Sequence, residues 1–287
     1  MTVPPVQVRG EVLGRRRVGA YHLVEVVAPG IAESARPGQF VAVTVGGPAS
    51  SMLLRRAFAI YRATPVGAYT GTVKFVVGVH GQGTEWLAGL RQGDQLDVVG
   101  PLGTPFRLPT KPVGCVLVGG GYGSAPLFGL ADALAARDCP AHLVLGAATA
   151  DRLFGDQEAR RAAASVTVTT HDGSTGVRGV VTDVLPGLVE RTGALVVYAC
   201  GPMPMLRAVG QVAASYAIPC QVAVEESMAC GIGVCMTCVL PVVGADGVTR
   251  MTRSCVDGPV FAADRVRWDE VGRVPADALG APAGATY

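Results

Sequence analysis

The chain has 287 residues, room for two or three domains at roughly 100–200 residues each. Hydrophobic residues make up 49% and charged ones 16%, which excludes wholesale disorder, and 24 basic against 22 acidic residues leave no electrostatic footprint for nucleic acid. Mean hydropathy is +0.39, yet no window reaches the roughly 18 uncharged apolar residues of a membrane span, and MTVPPVQVRGEVLG lacks the basic and apolar parts of a signal peptide, so a cytoplasmic protein is expected. Residues 1–108 read as short valine-rich strands between turn signals: Val6–Leu13, His22–Val27, Phe40–Val45, Ala57–Tyr61, Thr72–Val79 and Gln95–Val99. Regular short strands of this kind suggest a barrel or sandwich. The Arg15–Arg17 run falls where the first two would turn, as a solvated hairpin end.

Residues 109–219 alternate strand and helix. Val113–Val118, Ala141–Leu145, Val166–Thr170 and Leu195–Cys200 read as buried strands; Pro126–Ala136 and Met203–Tyr216 have apolar residues at helical spacing. Such alternation argues for a parallel sheet with helices on its faces. Residues 220–265 hold five of the eight cysteines, four of them clustered from Cys230 to Cys255, and no long periodic element, so a metal centre is expected to organise them. Residues 266–287 read as a tail, frayed from about Ala276.

With no secretion signal the cysteines are not expected to form disulfides. Cys230, Cys235 and Cys238, with Cys255 after sixteen intervening residues, have the C-x4-C-x2-C…C spacing of plant-type [2Fe–2S] centres. Four thiolates must reach two irons. A tight loop can supply three of them if its backbone bends around the inorganic sulfurs, and Gly231 and Gly233 permit those bends. Structural zinc and inert buried cysteines are the alternatives, but zinc ribbons pair two C-x2–4-C knuckles and here the fourth ligand is single.

The turn Gly119-Gly120-Gly121-Tyr122-Gly123-Ser124-Ala125-Pro126 lies between a strand and a helix. It resembles a dinucleotide fingerprint with proline in place of the third glycine, and it would let backbone and helix N-terminus approach a pyrophosphate. A second turn, Cys200-Gly201-Pro202, follows another strand. Both sit at carboxyl ends of parallel strands, where open α/β sheets bind ligands. Cys200 is either a core cysteine or a residue facing the nicotinamide. No acidic residue ends the Ala141–Leu145 strand, and Asp151 and Arg152 argue in opposite directions on NAD against NADP. In the first third, Arg56 on a strand and the Gly81-Gln82-Gly83-Thr84 turn, opening a helical stretch over Glu85–Leu90, form a weaker phosphate signal. His80 beside it reads as a turn histidine.

The segments LLRRAFAI (53–60), HGQGTEWL (80–87), VGPLGTPF (99–106), VGGGYGSAPL (118–127), YACGPMPML (198–206), EESMACGIGVCMTC (225–238) and SCVDGPVF (254–261) occur in this order. With them the chain resembles the ferredoxin–NADP reductase-like flavoproteins. Among these it looks most like the electron-transfer subunits of the two-subunit NAD-dependent dihydroorotate dehydrogenases. The resemblance implies an antiparallel β-barrel binding FAD, a parallel-sheet domain binding NAD and a small C-terminal [2Fe–2S] domain. It implies that Arg56, Gly81, Gly83 and Thr84 hold the FAD phosphates and that Ala57, Phe58 and Ala59 run along the flavin. Gly119, Gly120, Gly121, Gly123, Cys200, Gly201 and Pro202 would line the NAD site, and Cys230, Cys235, Cys238 and Cys255 would bind iron. The implied partner is an FMN-containing dihydroorotate dehydrogenase catalytic subunit in a heterotetramer serving pyrimidine biosynthesis.

Two residues depart from the resembling pattern. Relatives usually read Arg-Pro-x-Ser where this chain reads Arg56-Ala57-Phe58-Ala59, so the hydroxyl beside flavin N5 is absent at Ala59. Tyr122 stands where relatives usually have a smaller aliphatic residue. The combination still makes chemical sense as an electron relay, because NADH gives two electrons, a [2Fe–2S] centre takes one, and a flavin can stand between them. No activated nucleophile or catalytic carboxylate pair is visible, consistent with a partner carrying the substrate site. The alternatives are a reductase subunit for another acceptor, such as a ferredoxin-linked transhydrogenase, a hydrogenase or an oxygenase, and a non-catalytic iron–sulfur or zinc module.

Overall fold

The structure is a computed structural model that describes residues 4–47, 50–65 and 71–281. The valine-rich first third forms β1 (Val6–Val18), β2 (Tyr21–Val27), α1 (Ile31–Ser34), β3 (Phe40–Val43), β4 (Arg56–Thr64), β5 (Thr72–Gly78), α2 (Gln82–Ala88) and β6 (Gln95–Leu102). The strands close into an antiparallel barrel in the order β1-β2-β5-β4-β3-β6, which leaves no sheet edge to protect. Alternate residues fill its interior: Val24, Val26, Val41, Val43, Val73 and Phe75 are fully buried there. The β3–β4 register sets Phe40 opposite Ala59 and Val43 opposite Arg56.

The second unit runs β7 (Cys115–Gly120), α3 (Ala125–Ala135), β8 (Ala141–Ala147), α4 (Asp156–Ala162), β9 (Ser165–Thr170), β10 (Val177–Arg178), α5 (Val181–Thr192), β11 (Val196–Cys200) and α6 (Met203–Ser215). After it come β12 (Cys220–Ala223), β13 (Val239–Val243), β14 (Thr249–Arg253) and β15 (Val260–Ala262). One seven-stranded sheet has the order β10-β9-β8-β7-β11-β12-β15, parallel except for β15, while β13 and β14 pair as a separate hairpin. The period of two in β7 sends Cys115 and Leu117 to the α3 face and Val116 and Val118 to the face covered by α5 and α6.

The barrel packs its outer side on the α3 face of the sheet. Tyr21, Tyr61 and Val76 belong to the same buried cluster as Leu127, Phe128 and Leu130 of α3. Tyr61 meets Phe128 and Phe154 edge-on, with ring centroids 5.8 and 5.5 Å away. Beside it Arg62 pairs with Asp132 and, at 2.5 Å, with Glu158, which also accepts the Tyr61 hydroxyl. Such partly exposed pairs contribute about 0–1 kcal/mol each, so apolar burial dominates the joint.

Several expectations need correction. The Arg15–Arg17 run is not a hairpin tip: β1 continues through it, pairing Arg15 with Val24 and Arg17 with His22, and the chain turns at Gly19–Ala20. The cysteine segment is not organised by a metal centre alone, because Leu240 and Phe261 are buried in the core beneath α6. It also shares the sheet, since β12 and β15 are two of its strands. The tail is anchored rather than frayed at Ala276. Ala278 is buried, the Leu279 N–H donates to Thr249 O at 2.8 Å, and Asp277 pairs with Arg267. The rest of the expected tail, residues 282–287, lies outside the described residues, as do residues 1–3 of the segment read for a signal peptide.

Candidate functional site

Two cavities share a wall at the junction of barrel and sheet. The first, about 500 Å³, opens at the carboxyl ends of β7, β8, β9 and β11, bordered by Gly120, Gly121, Gly123, Thr169, His171 and Pro202. Close backbone approach explains its glycines. A Cβ on Gly123 would lie 2.7 Å from Gly201 Cα, and one on Gly120 would lie 2.9 Å from Pro202 Cδ. The two loops that end β7 and β11 therefore touch main chain to main chain. Thr169 borders this cavity, and its hydroxyl is buried without a hydrogen-bond partner among the described residues. An unpaired buried hydroxyl costs about 1–3 kcal/mol, so the site suits a ligand that brings a polar group there, as a nucleotide does.

The second cavity, about 310 Å³, lies between β4, the glycine turn, the end of β11 and residues 223–228. Arg56, Ala57, Phe58 and Ala59 border it, with Thr84, Cys200 and Gly201. Arg55 is occupied by Asp97 at 2.8 Å, whereas Arg56 forms no ion pair among the described residues. A Cβ on Gly83 would sit 3.2 Å from Arg56 Nε, so the guanidinium lies directly over the first turn of α2. The Thr84 hydroxyl accepts the N–H groups of His80 and Gly81 and fixes the turn. A guanidinium held among the described residues only by Leu54 O, at 2.7 Å, and without a carboxylate partner, over a glycine-flanked helix start, fits a phosphate group. Cys200 is buried, and desolvation followed by the nearby Glu225 pushes its thiol up to about 12, so it stays neutral. Burial likewise raises Glu226.

The cysteine loop bends as its glycines allow. Gly231, Gly233 and Met236 have φ of +73, +85 and +60°. The N–H groups of Ile232, Val234 and Cys235 converge on Cys230 Sγ at 3.5, 3.4 and 3.5 Å. Burial works to raise Cys230, but these donors outweigh it and hold the thiol below its ordinary value. Cys235 is held at about 6, first by the Thr237 hydroxyl and backbone and then by Cys230. Burial, then the neighbouring Cys238, pushes Cys255 up to about 12. Cys235 neighbours Cys230 in the loop, while Cys238 and Cys255 lie together in the buried cluster with Phe40. Among the described residues no three His, Cys, Asp or Glu converge as a site for one ion. Four thiols that do not converge on one point, with N–H donors aimed at Cys230 Sγ, suit a two-iron centre better than a single zinc.

Both boundaries of the second cavity are shared. Tyr122, Gly123 and Glu225 border both cavities. On the far side Phe40 and Met228 border the second cavity and also pack with Cys238 and Cys255.

Comparison with known proteins places this arrangement. The model of the iron–sulfur cluster binding domain of dihydroorotate dehydrogenase B matches residues 225–267, and that of the oxidoreductase NAD-binding domain matches residues 117–211. The dihydroorotate dehydrogenase B (NAD(+)) electron transfer subunit of Desulforamulus reducens is 34% identical over 86% of this chain and 93% of its own length. That of Geobacillus thermodenitrificans is 40% identical over 82% of this chain and 88% of its own. The chain belongs to the family of dihydroorotate dehydrogenase B electron transfer subunits. Among solved structures, an NADH-dependent reduced ferredoxin–NADP oxidoreductase studied for flavin-based electron bifurcation matches at a TM-score of 0.80. It is 31% identical over 92% of this chain and 91% of its own. The ferredoxin reductase of carbazole 1,9a-dioxygenase matches at 0.64 with 21% identity, a likeness of fold.

Within this family member most of the residues singled out in the sequence reach the cavities, but not all. Gly119 and Gly81 border neither. A Cβ on Gly119 would lie 2.5 Å from Ser124 Cβ, so Gly119 serves the packing of the turn. Gly83 acts from beneath Arg56. His80 is exposed at the rim of the second cavity. Sequence reasoning missed Thr169, His171, Phe40 and Met228. Only Thr169 carried a signal, as a polar residue near the carboxyl end of a parallel strand.

Proposed function

We propose that this chain carries electrons between NAD and a partner dihydroorotate dehydrogenase catalytic subunit that contains FMN, in a cytoplasmic heterotetramer serving pyrimidine biosynthesis. The observation that carries this reading is the run of shared walls: the second cavity meets the first through Tyr122, Gly123 and Glu225 and meets Cys238 and Cys255 through Phe40 and Met228. When bound, FAD supplies the conversion between two-electron hydride chemistry and one-electron transfer, and a [2Fe–2S] cluster supplies one-electron carriage.

The chain's own residues bind, orient and exclude water. Arg56, with Gly81, Gly83 and Thr84 at the start of α2, would hold the FAD phosphates, and Ala57, Phe58 and Ala59 would border its ring. Gly120, Gly121, Gly123 and Pro202 would hold NAD across the β7 and β11 turns, with Gly119 setting the turn and the Thr169 hydroxyl offering a polar contact. Cys200 and Gly201 would close the flavin cavity on the nicotinamide side. Cys200, being neutral, would put no charge there. Cys230, Cys235, Cys238 and Cys255 would ligate iron, with the loop N–H groups stabilising negative charge on sulfur. Phe40 keeps the path between the cavity and the cysteines dry, as it is only 3% exposed. Among the described residues no helix is long and apolar enough to cross a membrane.

A second reading, a reductase subunit for a ferredoxin-type acceptor, is favoured by the likeness to the ferredoxin–NADP oxidoreductase. An anaerobic visible spectrum of the purified chain before and after NADH, with iron and sulfide quantified, tests the relay. Flavin bands and a broad iron–sulfur shoulder that bleach with NADH are expected; a colourless zinc protein would overturn it. Adding an FMN-containing dihydroorotate dehydrogenase subunit then separates the readings. Dihydroorotate-dependent NAD reduction supports the first, and reduction of ferredoxin alone supports the second.

A further inference from the structure

Tyr122 occupies a place that the cavities themselves make conspicuous. It rides on the short 3-10 turn Gly121–Ser124, which the Ser124 hydroxyl pins by donating to Gly121 O at 2.8 Å. Its half-buried ring stands at the border of both cavities. On one side it meets Tyr21 edge-on at 5.5 Å, and on the other it faces His80 at 6.0 Å. Its hydroxyl donates to Glu225 Oε1 at 2.8 Å, across the seam from the glycine turn to the segment that leads into the cysteine loop. A side chain tied at both its base and its tip, standing between a nucleotide site and a flavin site, obstructs the path by which one must meet the other.

We propose that the Tyr122 ring is a swinging partition, and that the nicotinamide end of a dinucleotide seated in the first cavity reaches the second only when the ring turns aside and gives up its bond to Glu225. The inference rests on the assignment of the first cavity to NAD and the second to FAD. It follows that NAD binding is weakened by the fraction of molecules in which the partition is shut. ADP-ribose, which ends before the nicotinamide, bears no such penalty. The partition therefore taxes only ligands that carry the nicotinamide, which a general loss of packing would not do.

The test measures the affinities of NAD and ADP-ribose for the oxidised holoprotein by calorimetric titration in wild type, Tyr122→Phe and Tyr122→Leu. FAD and iron–sulfur absorbance confirm that each variant is loaded. Tyr122→Phe keeps the ring and loses the bond to a carboxyl, so NAD is expected to bind about tenfold more tightly while ADP-ribose stays within about twofold. Tyr122→Leu removes the ring and is expected to gain at least as much. Affinities for the two ligands that move together, or that do not move in either variant, would overturn the partition. Failure of the wild-type holoprotein to bind either ligand would overturn the nucleotide assignment, and the partition with it.

Discussion

Gly123 is the position where the two turns of the sheet meet most closely, and Gly123→Ala tests that meeting directly. The added methyl would lie 2.7 Å from Gly201 Cα, 3.0 Å from Gly201 N and 3.2 Å from Cys200 O. All three are main-chain atoms, so no flexible side chain can yield. Carbon atoms relax at about 3.5–4.0 Å, and the turns must part by roughly 1 Å. Gly123 is not among the positive-φ glycines, so the penalty is steric alone. Overpacking of this kind costs about 1–3 kcal/mol. At about 2–4 °C per kcal/mol for a unit of this size, melting should fall by roughly 2–12 °C. Because Gly123 and Gly201 both border the second cavity, proposed to hold FAD, NADH-driven flavin reduction should slow as well. Gly14→Ala is the control: nothing lies within 4 Å of its Cβ position, and its stability should change by no more than about 0.5 kcal/mol. Calorimetric melting and stopped-flow flavin reduction read both variants. If Gly123→Ala melts and reduces like Gly14→Ala, the two turns do not depend on backbone contact and the reasoning fails.

Two further expectations concern the site and a third the tail. Cys235→Ala should remove the iron–sulfur absorbance and electron delivery to the partner while sparing NADH reduction of bound FAD; loss of flavin reduction with FAD still bound would contradict the relay order. Ala59→Ser restores the hydroxyl usual in relatives and should speed flavin reduction by NADH about tenfold, the worth of one good hydrogen bond; an unchanged rate and flavin potential would make the departure innocuous. The hydrogen bond from Arg267 holds Asp277 below its ordinary value, so the tail anchor is fully present above about pH 4 and is lost as the pH falls through the lower value of the folded state. Hydrogen exchange across residues 275–281 should show release in acid, and Asp277→Asn should abolish that pH dependence.

What was legible in the sequence was what local chemistry specifies. The cysteine spacing, the glycines that bend that loop and the valine alternation of the barrel each act over a few neighbouring residues. Two helices of the parallel-sheet unit were not anticipated. In α5, Val181, Leu185, Leu188 and Val189 are buried at helical spacing, but Pro186 and Gly187 within it read as breakers. Only Ala159 is buried in α4, so it shows no apolar face to detect. The two shared borders of the second cavity were invisible for a different reason. Phe40, Tyr122, Glu225 and Met228 come from three parts of the chain, and only the docking of barrel on sheet brings them together.

The cysteine segment leaves the sheet from β12 and returns to it on β15, and those strands are neighbours, closed by the Val224 N–H donating to Pro259 O at 2.9 Å. Topologically the iron-binding loop is an insertion with both ends stitched into one seam rather than an appendage on a tether. Its ends are held together whether or not the metal is present, so the chain entropy to be overcome when the metal binds is that of the loop's interior alone. A protein stripped of iron should therefore lose order within that insertion and keep the seam, leaving the nucleotide-binding sheet ready for reassembly of the metal site.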